Sequence, residues 1–167
     1  MAESVEALGQ TFAYSKMGRS PARYDTADQD RLNAQALHGI AYDEARARLA
    51  AMDCDLGQGF WDAVRPNLGK FADVRDFARL VNGPVTPIIA DPAFAAAALE
   101  LLPAEIGADS WSAWTGAVME KTGAKGKALF MPLRQAVTGM EHGPDMAALL
   151  PLIDRDRIVR RLKGETA

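Results

Sequence analysis

The chain has one cysteine, Cys54, and two histidines, His38 and His142, in 167 residues. A lone thiol cannot close an internal disulfide, and these three side chains do not have the spacing of a zinc-ligand set. Apolar runs are short: none approaches the roughly 20 residues that a membrane-spanning helix needs. The opening MAESVEALGQ is acidic and small rather than basic and then apolar, so a secretory signal is not expected and a cytoplasmic location, with no membrane partner, is. Strand signals are nearly missing as well. The one strand-like run, PVTPII at 84–89, is cut by Pro87. Also lacking are a glycine-rich strand-to-helix phosphate loop, paired carboxylates in a cleft-like pattern, and a nucleophile with a matching base and acid. TGAKGK at 122–127 has glycines and lysines that suit a phosphate contact, but it lacks the spacing and the preceding strand of a nucleotide-hydrolysing loop.

What the sequence does have is helix punctuation. Asp25 is placed to cap TADQDRLNAQALH, where Asp28 sits in the first turn, Leu32, Ala36 and Leu37 form an apolar stripe, and Gly39 is the expected stop. YDEARARLAAM at 42–52 and GFWDAVRPNL at 59–68 continue the pattern, with Phe60, Val64 and Leu68 on one face and Pro66 expected to kink or end the last turn. DVRDFARLV leads into NGPVTP, the clearest break in the chain. Beyond it, Asp91 and Pro92 mark a helix start, Asp109 or Ser110 caps the next helix, and Trp111, Trp114 and Val118 fall on a stripe expected to be core. These features predict an all-α fold, a helical bundle of two small subdomains divided near Gly83: residues 1–83 and 84–167.

Charge is unevenly spread. Residues 1–120 carry 17 Asp+Glu against 10 Lys+Arg, a net of −7, whereas residues 121–163 carry 9 Lys+Arg against 4 Asp+Glu, a net of +5. A basic end of this kind can recruit a polyanion even on an acidic chain, although on composition alone a solvated helical surface is the simpler account. Within that end, Pro132 is tolerated in a first helical turn, which predicts a helix from about Met131 to Thr138 with Gly139 as its stop. Phe130, Leu133 and Val137 would face the core, and Arg134 and Thr138 would form an open polar flank. Pro144 is expected at the first position of the following helix, whose terminal N–H groups would point outward as donors for a phosphate or a base edge. A last helix from Asp154, stapled by Ile153 and Ile158, would carry Arg155, Arg157, Arg160, Arg161 and Lys163 as a solvated basic face.

The run KGKALFMPLRQAVTGMEHGPDMAALLPLI at 125–153 closely resembles the C-terminal end of bacterial glutamyl-tRNA synthetases, class I aminoacyl-tRNA synthetases in which a Lys-Gly-Lys-x-Leu-Phe-Met-Pro-Leu-Arg-x-Ala-x-Thr-Gly-x-x-His-Gly-Pro run precedes the last helices. Upstream, SKMGRSPARYDTADQDRLNAQALH resembles the segment that opens the family's helical α-cage, so the likeness covers almost the whole chain. It implies an anticodon-binding region whose partners are a glutamate-type tRNA, with the glutamine type left open, and the catalytic domain of the same enzyme. The signatures of the family's catalytic half do not occur here; YSKMGRS at 14–20 is only superficially like one of them. ATP and magnesium belong to that half, so the resemblance implies no cofactor for this chain and no aminoacylation by it alone. The chain would then be either the C-terminal part of such a ligase or a free-standing relative acting as a protein-interaction or RNA-binding module. Carried over by position, the resemblance puts Arg134 at an anticodon-loop contact and Gly143, Pro144 and Met146 at a loop and helix start that touch anticodon bases. Lys125 and Lys127 would hold phosphate. Many members have an arginine reading the third anticodon base where this chain has Asn67, with Arg65 nearby as the other candidate, and some have threonine where Gly143 stands.

Overall fold

The computed structural model describes residues 26–167, and among these there are helices and turns but no strand. The cap proposed at Asp25 lies outside the described residues. The α-helices run α1 Thr26–Gly39, α2 Tyr42–Ala51, α3 Gln58–Val64, α4 Val74–Asn82, α5 Pro92–Glu100, α6 Ser110–Thr122, α7 Lys127–Thr138, α8 Met146–Leu149 and α9 Arg155–Leu162. Short 3₁₀ turns lie at Arg65–Asn67, Phe71–Asp73 and Leu150–Leu152. The all-α expectation holds, and none of the described helices is long and apolar enough to cross a membrane.

Local chemistry explains most boundaries. Proline cannot donate to the helix ladder, so at Pro66 α3 gives way to the tighter Arg65–Asn67 turn. The Asp91 carboxylate accepts from the N–H groups of Ala93 (2.9 Å) and Phe94 (3.1 Å), and Pro92 follows where no donor is needed. Gly139 ends α7 with φ 66°, and a Cβ there would stand 2.5 Å from the Thr86 carbonyl oxygen, so both conformation and space require glycine. At α9 the Asp154 carboxylate accepts from the Asp156 N–H (2.8 Å), while Ile153 and Ile158, 2% and 0% exposed, close the expected staple.

Two tryptophans anchor a core that draws on residues from both sides of Gly83. Trp61 is fully buried and donates to the Ile40 carbonyl (2.9 Å); Trp114 is fully buried and donates to the Ala98 carbonyl (2.7 Å). Satisfying each indole N–H is what lets so large a ring be sealed without a desolvation cost. Around them α5 packs on α6 and α9, α7 on α6 and α9, and α3 on α8. The extended segment after Gly83 crosses the bundle bonded to distant residues. Val85 exchanges backbone hydrogen bonds with Ala167 (2.9 and 3.2 Å), and the Ile88 N–H donates to the Gln135 carbonyl (3.0 Å).

The structure departs from the sequence expectations at four helices. α7 starts at Lys127, not near Met131, so Pro132 sits in its second turn. Only the Ala128 carbonyl loses its helical donor there, and Ala128 is exposed, so water can replace the bond. Leu133 and Val137 are buried as expected, but the stripe is centred on Leu129, Leu133, Ala136 and Val137, and Phe130 lies at its edge, 46% exposed rather than in the core. α8 begins at Met146, with Asp145 as its cap residue and Pro144 ahead of the helix. In α1 only Leu37 of the apolar stripe is buried, and Leu32 is 62% exposed, because the helix meets the bundle at its C-terminal end, over the Arg65–Asn67 turn. Of the basic residues of α9, finally, Arg160 and Lys163 are solvated as expected, Arg155 and Arg157 are half-buried, and Arg161 is sealed in the core, as described below.

Candidate nucleic-acid interface

The helix start at Lys127 and the stop at Gly139 place Arg134 opposite the loop that follows its own helix. Its Nη1 donates to the Pro144 carbonyl at 2.9 Å. A Cβ on Gly143 would lie 3.6 Å from the same nitrogen, so the absence of a side chain there keeps the guanidinium edge clear. Burial pushes the Arg134 pKa below the ordinary arginine value, and the charge of Asp145 opposes that shift. The group stays cationic at neutral pH because an arginine lies so far above that range to begin with. Among the described residues, the Pro144 carbonyl is its one hydrogen-bond acceptor, which leaves the rest of the fork for another. Thr138, expected beside Arg134 on an open flank, is 3% exposed, and its hydroxyl donates to the Arg134 carbonyl (2.7 Å).

The other expected residues fall into three places. Lys125 and Lys127 are exposed at the head of α7, with Gly126 between them at φ 56°. From Lys127 to Arg134 is about 10 Å along the helix axis at its usual rise per residue. Met146 is 1% exposed and packs in the core, and Pro144 is buried beside it, so at this loop the exposed groups are Glu141, His142 and Asp145. Arg65 and Asn67 belong to a separate turn. Arg65 donates to the Ile40 carbonyl (3.0 Å) and pairs with Asp62 (3.5 Å), whereas Asn67 is exposed. That turn is held against α1, where Asn33 donates to the Gly69 carbonyl (3.1 Å) and His38 Nε2 bonds the Leu68 carbonyl (3.1 Å).

The basic end proves to be two populations. The arginines of α9 are spent inside the molecule: Arg155 donates to the Pro103 carbonyl (2.8 Å), Arg157 to the Gly83 carbonyl (3.3 Å), and Arg160 pairs with Glu165 (3.0 Å). Arg161 is fully buried and donates to the carbonyls of Leu80 (2.7 Å), Ala167 (2.7 Å), Val137 (2.9 Å) and Gly83 (3.2 Å). Burial, then the neighbouring charge of Arg157, pushes its pKa down to about 10. The sequence carried a signal for this. Ile158, Arg161 and Leu162 stand at i, i+3 and i+4, so the helical period puts Arg161 in the apolar stripe. By contrast Lys121, Lys125, Lys127 and Lys163 are all exposed. The field offered to a polyanion therefore comes from these exposed lysines and the half-buried Arg134, with Arg155 and Arg157 adding to it because neutral carbonyl acceptors do not cancel their charge, whereas Arg160 is offset by Glu165.

Residues 92–165 match the anticodon binding domain family. Over its whole length the chain is similar to glutamate–tRNA ligase 1 of Maricaulis maris (52% identical, covering 98% of this chain) and of Parvibaculum lavamentivorans (52%, 98%), and to glutamate–tRNA ligase 2 of Methylorubrum populi (50%, 98%). It spans little more than a third of the length of these relatives, 36–37%. A helical fold, a match to that domain across α5–α9 and half-identity over nearly the whole chain together make this an anticodon-binding domain that matches the C-terminal part of glutamate–tRNA ligases.

Proposed function

We propose that this chain grips the anticodon stem and loop of a glutamate-type tRNA on behalf of a ligase whose catalytic half is a separate part of the enzyme. The observation that carries the reading is the Arg134 guanidinium, fixed by the Pro144 carbonyl beside the bare edge of Gly143, on the helix whose first turn presents Lys127. Lysines near the helix start meet phosphates and set the position of the RNA, while a preorganised arginine reads the edge of an unstacked base. Asn67 and Arg65, on the neighbouring turn, are the candidates for a further anticodon base. The pre-fixed Arg65 suits a structural role and the exposed Asn67 a readout role. Gly143, Pro144 and Met146 act as backbone and scaffold for this loop rather than through their side chains, since two of the three are buried and the third has none. The work is binding: RNA held here presents its acceptor end to a distant active site, where ATP and magnesium are used.

The test is a binding titration of this chain, over a range of salt, with the glutamate tRNA, the glutamine tRNA and an unrelated tRNA. Preference for the first with a steep salt dependence supports the reading. Equal or undetectable binding of all three overturns it in favour of a protein-interaction module.

A further inference from the structure

One exposed apolar feature is left unused by the contacts described so far. Phe130, on α7, is 46% exposed, although the helix has a well-formed buried stripe one residue away. Its ring stands 6.3 Å from that of Trp111 on α6, at an interplanar angle of 36°. Trp111 in turn meets Trp114 edge-on, at 5.9 Å and 73°. Trp114 is fully buried, with its indole N–H bonded to Ala98. The three rings thus form a chain that is anchored in the core at one end and open to solvent at the other.

The surroundings of that open end point to an occupant. At 3.6 residues per turn, Lys127, Phe130 and Arg134 stand at i, i+3 and i+7, along one flank of α7. A cation therefore lies one turn to each side of the exposed ring. An apolar patch for a protein partner has no requirement for a flanking pair of cations, whereas a nucleotide strand needs both a π-face and phosphate neutralisation at about this repeat.

We propose that Phe130, backed by Trp111, is a stacking platform for an unpaired base of the bound RNA, lying between the phosphate contact of Lys127 and the base contact of Arg134. This deepens the tRNA-binding reading and rests on it. Stacking is tolerant of base identity, so the platform adds affinity and fixes the course of the strand, and discrimination is left to Arg134 and its loop.

The experiment uses the full chain and an anticodon stem-loop RNA of glutamate-type sequence carrying 2-aminopurine at successive loop positions. Wild-type protein is expected to change the 2-aminopurine emission at one position more than at the others. Phe130→Ala should weaken binding about 5- to 100-fold and abolish that change. Its salt dependence should be unaltered, because no charge is removed. Phe130→Leu should behave like Phe130→Ala, and Phe130→Trp should restore binding. Because Phe130 is half exposed, circular dichroism should find all three variants folded. If Phe130→Ala or Phe130→Leu binds as tightly as wild type while Arg134→Ala is impaired, the platform is overturned and the tRNA-binding reading stands. If the wild-type chain does not bind the stem-loop at all, both fall.

Discussion

Arg161 Nη1 donates to the carbonyl oxygen of Leu80 at 2.7 Å, joining α9 to the last turn of α4 across 81 positions of the chain. The same guanidinium holds Val137, Gly83 and Ala167, so one cation organises the place where four segments meet. Removing it would strand buried carbonyls, whose lost partners are costly in a low-dielectric interior. Arg161→Ala is expected to lower stability by about 3–5 kcal/mol in urea unfolding, from buried carbonyls left unpaired at about 1–3 kcal/mol each and from the cavity that replaces the side chain. Arg160→Ala, which removes only an exposed pair with Glu165, should stay within about 1 kcal/mol of wild type.

The pH response of that site has a definite sign. The folded-state pKa of Arg161, about 10, lies below the ordinary arginine value, so as pH rises the folded protein sheds this proton before the unfolded chain does. The unfavourable contribution of the buried charge is fully present below about pH 10 and diminishes as pH rises past it towards the unfolded value. Between pH 6 and 9 Arg161 should therefore add no slope to a stability–pH curve. Comparing wild type with Arg161→Met over that range checks this: the two curves should run parallel.

Gly139 and Gly123 both end helices with positive φ, 66° and 73°, but only Gly139 faces another backbone. Gly123→Ala should cost about 1 kcal/mol, the strain of a left-handed alanine. Gly139→Ala adds a collision with the Thr86 carbonyl and should cost about 1–3 kcal/mol more, with the loss visible in thermal unfolding.

Asp91 supplies both acceptor contacts at the start of α5. Asp91→Ala should destabilise by about 0.5–2 kcal/mol, and Asp91→Asn by much less, because asparagine caps nearly as well.

For RNA binding, Lys125→Ala and Lys127→Ala should each reduce the salt slope by about one while weakening all tRNAs alike. Arg134→Ala should cost roughly 1–3 kcal/mol and fall most heavily on the preferred tRNA. Arg134→Lys should not restore it, since an ammonium bonded to the Pro144 carbonyl has no planar fork left to offer.

Much of the fold was legible because its signals are local. Asp91–Pro92, Asp154 with its isoleucine staple, Gly139 and Pro66 each act through the next few residues of backbone, and each did what its chemistry dictates. The misreadings share a different origin. Pro132 by itself points to a first helical turn, whereas α7 begins at Lys127 and leaves only one exposed carbonyl without a donor; Phe130, at the edge of the apolar stripe, stays half outside the core. The α9 arginines look solvated by composition; the helical period marks Arg161 as the exception, but the acceptors that hold Arg155, Arg157 and Arg161 come from Gly83, Leu80, Pro103 and Ala167, outside the helix. At the candidate interface, Arg134 is proposed by the family resemblance and the two lysines by the same resemblance and their charge. That the Pro144 carbonyl orients the arginine, and that Phe130 and Trp111 lie against each other, depends on how a helix and a loop return to one another.

The three tryptophans have a consequence for optical work. Trp61 and Trp114 are sealed from water and bonded through their indole N–H groups, so external quenchers should reach them far less readily than an exposed indole. Trp111, only partly buried beside Phe130, is the fluorophore that solvent can touch. The unlabelled protein therefore carries a reporter at the α6–α7 edge, where Trp111 and Trp114, 5.9 Å apart, share their excitation, with the sealed indole of Trp61 as the standard against which quenching there, or protection by a ligand, is read.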